Sequence, residues 1–112
     1  MTTLTELIKT HDQELTKPYR NAARPFSKED AFTFLEQAKT ATTLYTAFFS
    51  VDAIVNRYDE LYSDEEVKVE LRKFEPILLL IKAINMRKKH TEEALNQFYT
   101  NTTEFFTNLK TN

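Results

Sequence analysis

Two histidines, His11 and His90, are the side chains of this sequence whose ordinary titration falls near neutral pH. Neither belongs to a Glu-x-x-His or His-x-x-x-His pair, the spacings at which one helix face can grip a zinc ion. His11 falls on the apolar side of an N-terminal stripe and reads as a semi-buried packing residue. His90 reads as a turn residue near a helix C-terminus. Carboxylates gather at Asp59, Glu60, Asp64, Glu65 and Glu66, but they surround a capping signal, and solvated helix ends account for them without an acid–base pair. No serine or threonine stands beside a base that would activate it. The expectation is a protein with no catalytic residue, no metal ligand and no cofactor.

Binding chemistry is more plausible than catalysis. Asp52, Lys82 and Asn85 interrupt apolar stripes, and a charge taken out of water is costly unless it is paired. They are expected to pair (Asp52 with Lys82 is one candidate), to sit at helix ends, or to face a partner or a second copy. Phe32 and Leu61 point away from the stripes, as exposed apolar residues of a binding patch do. Phe32, Leu61, Asp52, Lys82 and Asn85 are therefore the candidate partner-binding residues. A second candidate surface is basic. Arg87, Lys88 and Lys89, with Arg72 and Lys73 if the fold brings them near, have the chemistry to contact phosphates. Cations closing a helix are also expected for stability alone.

These residues have to be positioned by helices. Leu4, Leu7, Ile8 and Leu15 recur at helical spacing, Thr3 and Glu6 form a capping-box pair, and Pro18 ends the segment, so a helix is expected over 4–16. A linker follows over 17–25, with two prolines and three basic residues. Phe26 and Ser27 then open the main bundle, 26–110, with Lys28, Glu29 and Asp30 in the first turn. From Phe34 to Tyr62 the apolar residues step by three and four without a proline or glycine. The face traced by Phe34, Ala38, Ala41 and Tyr45 differs from that of Val51, Val55, Tyr58 and Tyr62 by roughly a quarter turn. Either one helix coils or two meet at a break, and a break or kink near Ser50-Val51-Asp52 is favoured because long helices are uncommon in small domains.

Ser63 to Glu66 punctuates the chain as a capping box, with Tyr62 and Val67 as its staple. The next stripe, Val67, Leu71, Phe74, Leu78 and Ile81, keeps its phase through Pro76, which predicts one helix kinked there. From Ile77 to Ile84 nearly every position is apolar, so this helix is expected at the centre. A tight turn near His90-Thr91 leads into a last helix burying Leu95, Phe98, Thr102, Phe105, Phe106 and Leu109. The reading is a single all-α domain over 1–112: an irregular bundle of four to five helices with short connections, the third long helix kinked and central.

Composition sets the outer bounds. The 112 residues are 41% hydrophobic, carry nine Phe and five Tyr, and have a net charge of −2, which fits one globular domain rather than a basic or acidic tail. There is no glycine, where average usage would give about eight. A P-loop, a dinucleotide-binding turn, an EF-hand and a nucleophile elbow all require it at fixed places. Without cysteine there is no thiolate zinc site or disulfide. The longest apolar run, Ile77 to Ile81, is five residues against the ~20 that span a bilayer. The N-terminal stripe does not resemble a signal peptide, and the sequon at Asn101 reads as chance. The expected protein is a cytoplasmic helical interaction module: an adaptor, an inhibitor or a small subunit of a complex. Its partner is expected to be a protein, a larger complex or a second copy in a homodimer. The alternative is a helical subunit gripping nucleic-acid backbone through its basic helix end.

Overall fold

The computed structural model describes residues 2–16 and 26–111, so the linker expected over 17–25 lies outside the described residues. Within them the chain forms six α-helices and no strand: α1 (Leu4–Thr16), α2 (Lys28–Thr40), α3 (Leu44–Arg57), α4 (Glu65–Arg72), α5 (Glu75–Asn85) and α6 (Glu92–Thr111). Short 3₁₀ turns at Leu61–Ser63 and Arg87–Lys89 follow α3 and α5. Among the described residues, no helix is long and apolar enough to cross a membrane.

Most of the helix starts follow their capping signals. Thr3 Oγ1 accepts the amide of Glu6 at 3.2 Å. Ser27 and Asp30 exchange side-chain and backbone bonds at the head of α2, a complete capping box. Thr91 Oγ1 accepts the amide of Ala94 at the start of α6. At α4 the cap is Asp64 rather than Ser63: its Oδ1 accepts the Val67 amide at 3.3 Å.

Two expected long helices are each divided, which raises the count above four or five. The phase change between Phe34 and Tyr62 comes from a break at Ala41–Thr43, not at Ser50. Ala41 leaves helical geometry with φ −59° and ψ 137°, and Thr43 caps Thr46 at 3.2 Å. β-Branched threonine is a weak helix former and a good cap, so the Thr42-Thr43 pair restarts the helix and α3 runs unbroken through Ser50-Val51-Asp52. The kink expected at Pro76 is also a full break. α4 ends at Arg72, Phe74 has φ −110° and ψ 33°, and Pro76 stands in the first turn of α5. There its missing N–H is of no consequence and its ring meets no preceding carbonyl. The stripe keeps its phase because the two helices turn their apolar sides to one core.

That core takes Val67 and Leu71 from α4, Phe74 from the break, and Ile77, Leu80, Ile81 and Ile84 from α5. Leu78, expected inside, is only partly buried. Centrality is shared, since α3 contributes Leu44, Ala47, Phe48, Val51 and Ile54 and packs on α1, α2 and α5. α6 lies along α5 with Phe98, Phe105, Phe106 and Leu109 half-covered, while Thr102 is fully buried. The small Thr102 lets α6 approach closely, and its hydroxyl reaches Pro76 O at 3.0 Å and Phe98 O at 2.8 Å.

Candidate functional site

The most unusual chemistry inside the molecule joins α1, α3 and α5. His11 and Asp52 are completely buried, and His11 Nδ1 lies 2.9 Å from Asp52 Oδ1. The other ring nitrogen, Nε2, lies 2.6 Å from Asn85 Oδ1 at the end of α5. Asn56 Nδ2, one turn after Asp52, donates to the same Oδ1 at 2.9 Å. The amide oxygen of Asn85 only accepts, so Nε2 carries a proton. A second proton lies between Nδ1 and Oδ1, whichever atom it is drawn on.

Burial works against the charged imidazole, yet the hydrogen bond and charge of Asp52, with Asn85 behind it, win and hold His11 above its usual range. Burial likewise pushes Asp52 up, against the pull of His11, and the nearby Glu14 carboxyl adds to the push. Both directions say that the shared proton is held tightly. Glu14 is itself buried on the inner side of α1. Leu15, expected in the apolar stripe, is turned outward and is 54% exposed. His11 is thus a packing residue, as its stripe position suggests, but also one half of an ion pair. Asp52 is paired with His11 rather than with Lys82, which is exposed on α5. With both nitrogens engaged and the ring sealed off, the imidazole has no free edge toward a substrate.

Asn85 also faces outward, into a cleft of about 460 Å³ that it lines with Asp12, Leu15, Met86, Arg87, Lys88 and Lys89. Arg87 is fixed there, donating to Asp12 Oδ2 and to Ile84 O, each at 3.1 Å. Lys88 and Lys89 are exposed and make no ion pair with any described residue. The basic residues do not merge into one patch. Arg72 and Lys73 close α4, before α5, and Arg87 to Lys89 follow it. The 11 residues of α5 hold the groups roughly 16 Å apart along its axis. Lys73 is also engaged, with Glu70 at 2.8 Å.

A second depression, about 400 Å³, lies between α2 and α4. Phe32 and Val69 form its apolar floor, and Glu65, Glu66 and Glu70 its rim. Both floor residues are exposed, Val69 by 47%. Lysines border the rim: Lys28 on Glu66 at 3.2 Å, Lys39 on Glu70 at 3.0 Å and Lys68 on Glu65 at 3.0 Å. Exposed pairs of this kind contribute little and exchange readily with other cations. Leu61, expected like Phe32 to be exposed, is instead buried in the core as the first residue of its 3₁₀ turn. The large outward side chain of that turn is Tyr62.

Of the five expected partner-binding residues, Phe32 lines the acidic groove and Asn85 the basic cleft, while Asp52 and Leu61 are interior. Among the described residues no group of three histidine, cysteine, aspartate or glutamate side chains is arranged to hold a metal ion. No protein-family model, no curated protein and no solved structure matches the chain.

Proposed function

We propose that the protein is a non-enzymatic, cytoplasmic helical interaction module that binds a protein partner through the groove between α2 and α4. The observation that carries this reading is the pairing of exposed Phe32 and Val69 under a rim of three carboxylates. An apolar floor supplies affinity when covered, and an acidic rim selects the occupant: a segment with an apolar anchor flanked by lysine or arginine. Lys28 and Lys39 are held to the rim by surface pairs, so incoming cations displace them at small cost, while Lys68 also holds the carbonyl of Tyr62. The groove alone is smaller than a stable interface, about 800 Å² on each side, so the partner extends beyond it along α4.

The test is a nuclear magnetic resonance titration with two synthetic helical peptides. One carries leucines at i, i+3 and i+4 with lysines elsewhere; the other replaces every lysine with glutamate. Shifts from the basic peptide are expected at Phe32, Glu65, Glu66, Val69 and Glu70, to be lost in Phe32→Ser. Equal binding of the acidic peptide, or shifts centred elsewhere, would overturn the reading. The alternative, contact with nucleic-acid backbone through Arg87, Lys88 and Lys89, has less in its favour because α5 separates these residues from Arg72 and Lys73.

A further inference from the structure

Tyr62 is the most exposed large apolar side chain among the described residues, at 87%. A nearly bare aromatic ring is unusual unless something covers it. Its mounting is rigid. Leu61 anchors the 3₁₀ turn in the core, Ser63 Oγ donates to Glu60 O at 3.0 Å, and Lys68 Nζ donates to Tyr62 O at 3.1 Å. Tyr58, which caps α3, donates its hydroxyl to Asp64 Oδ2 at 2.7 Å and fixes the other side of the turn. The backbone that carries the ring is therefore already ordered before it docks, and only the side-chain torsions are left to fix. Asp59 and Glu60, just before it, are exposed and make no ion pair with any described residue.

The cleft at the end of α5 has the opposite character. Leu15 and Met86 offer apolar surface, 54% and 39% exposed, and Lys88 and Lys89 stand on its edge without described counter-ions. One feature is an aromatic knob with unpaired acids; the other is an apolar socket with unpaired lysines. Hydrogen bonds connect the cleft to α3 close to the helix end that carries the Tyr62 turn. Asn85, which lines the cleft, is bonded to His11, and His11 to Asp52 of α3, six residues before Tyr58, the residue that caps α3 beside the Tyr62 turn, or roughly 9 Å along the helix axis.

We propose that the occupant of the basic cleft is a second copy of this chain, which inserts Tyr62 between Leu15 and Met86 while Asp59 and Glu60 meet Lys88 and Lys89. Because each copy carries both knob and socket, a twofold axis would seat both tyrosines at once, the self-complementary arrangement of a symmetric dimer. Each buried aromatic covers about 150–250 Å², roughly 300–500 Å² for the pair, which is less than a stable interface needs, so the charged contacts around them must add area and the dimer is weak and reversible. Apart from Lys68, which borders the groove between α2 and α4 and also holds the Tyr62 carbonyl, the inference uses nothing of that groove and stands apart from the function proposed for it.

Sedimentation velocity across the micromolar range tests it. A monomer–dimer equilibrium is expected, weakening as salt is raised because the charged contacts are screened. Tyr62→Ala should weaken dimerisation more than about tenfold, as loss of an interface anchor does. Asp59→Lys with Glu60→Lys, and separately Lys88→Glu with Lys89→Glu, should each give monomers. An equimolar mixture of those two charge-reversed proteins should restore the dimer, because each then offers the charge the other lacks. All these side chains are exposed, and circular dichroism should show unchanged helix; if a reversed protein fails to fold, Tyr62→Ala decides alone. A wild type that stays monomeric at high micromolar concentration, a Tyr62→Ala protein that dimerises normally, or a mixture that stays monomeric would each overturn the proposal. Binding of the basic peptide at Phe32 should survive in every dimerisation variant, so failure here leaves the proposed function standing.

Discussion

Deleting one member of the His11–Asp52 pair strands the other in the interior. Asp52→Ala or His11→Ala is expected to cost about 3–5 kcal/mol, read from the urea midpoint, whereas replacing both with apolar residues of similar size should cost much less. An Asp52→Ala protein with unchanged stability would show that the pair is dispensable. The pair also sets a pH dependence. His11 is held above its ordinary value of 6.5, so its contribution is complete below pH 6.5 and lost as pH rises through the raised folded value. Asp52, also raised, acts in the same direction over its own window, which opens at its ordinary value of 3.8 and closes at its raised folded value, so the fall from pH 6.5 upward is read as that of His11. The melting temperature should therefore fall from pH 6.5 upward, and a His11→Leu/Asp52→Leu protein should lose that slope. In the sequence, His11 and Asp52 stand out as polar residues on apolar stripes, which marks both as buried and in need of partners. Their mutual pairing was not legible, because it depends on how α1 and α3 cross. Periodicity within one helix carries no information about that crossing.

At the scale of the element, periodicity found nearly every helix but misplaced its joints. A stripe records which side of a helix faces the core, and it keeps its phase across a break if both helices face the same core. Val67, Leu71, Phe74 and Ile81 do so across Pro76, and the sequence therefore resembles one kinked helix. The break at Thr42-Thr43 was visible only as a drift in phase, without the proline or glycine that usually marks a boundary. Pro76 in a first turn should be replaceable: Pro76→Ala is expected to change stability by less than about 1 kcal/mol. A proline placed at Leu80, inside α5, should cost ~3 kcal/mol or more, beyond the packing lost with the leucine. Thr43→Ala should cost about 0.5–2 kcal/mol through the cap of α3. A Pro76→Ala protein stabilised by more than about 1 kcal/mol in chemical denaturation, as relief of an interior proline gives, would restore the single kinked helix. The candidate surface was half legible: Phe32 and Leu61 both lie off the stripes, but only the 3₁₀ turn after α3, which no periodicity signals, decides that Leu61 goes in and Tyr62 goes out.

Across the whole molecule, the carboxylates around α4 are interspersed with paired lysines, and the basic run after α5 is short, with Arg87 already held by Asp12. Nucleic acid should find only a small foothold. Binding by the isolated protein is expected to be unmeasurable near physiological salt. Micromolar binding that falls steeply with salt, and vanishes when Arg87, Lys88 and Lys89 are changed to glutamate, would promote the nucleic-acid reading. The longest-range polar ties have their own geography. His11 to Asp52 and to Asn85, Arg87 to Asp12, and Tyr99 to the carbonyl of Thr2 all tie the N-terminal segment, mostly α1, to elements 41 to 97 residues away. α2 with α3 and α5 with α6, by contrast, pack as neighbours along the chain. Sequence-adjacent helix pairs close short loops and form fast, whereas docking α1 means closing the longest ones. α1 is therefore the segment expected to arrive last during folding and to leave first under native conditions. Its amides should exchange hydrogen through a partial opening of lower free energy than global unfolding, shared by Leu7 to Glu14 and lowered further by Asp52→Ala.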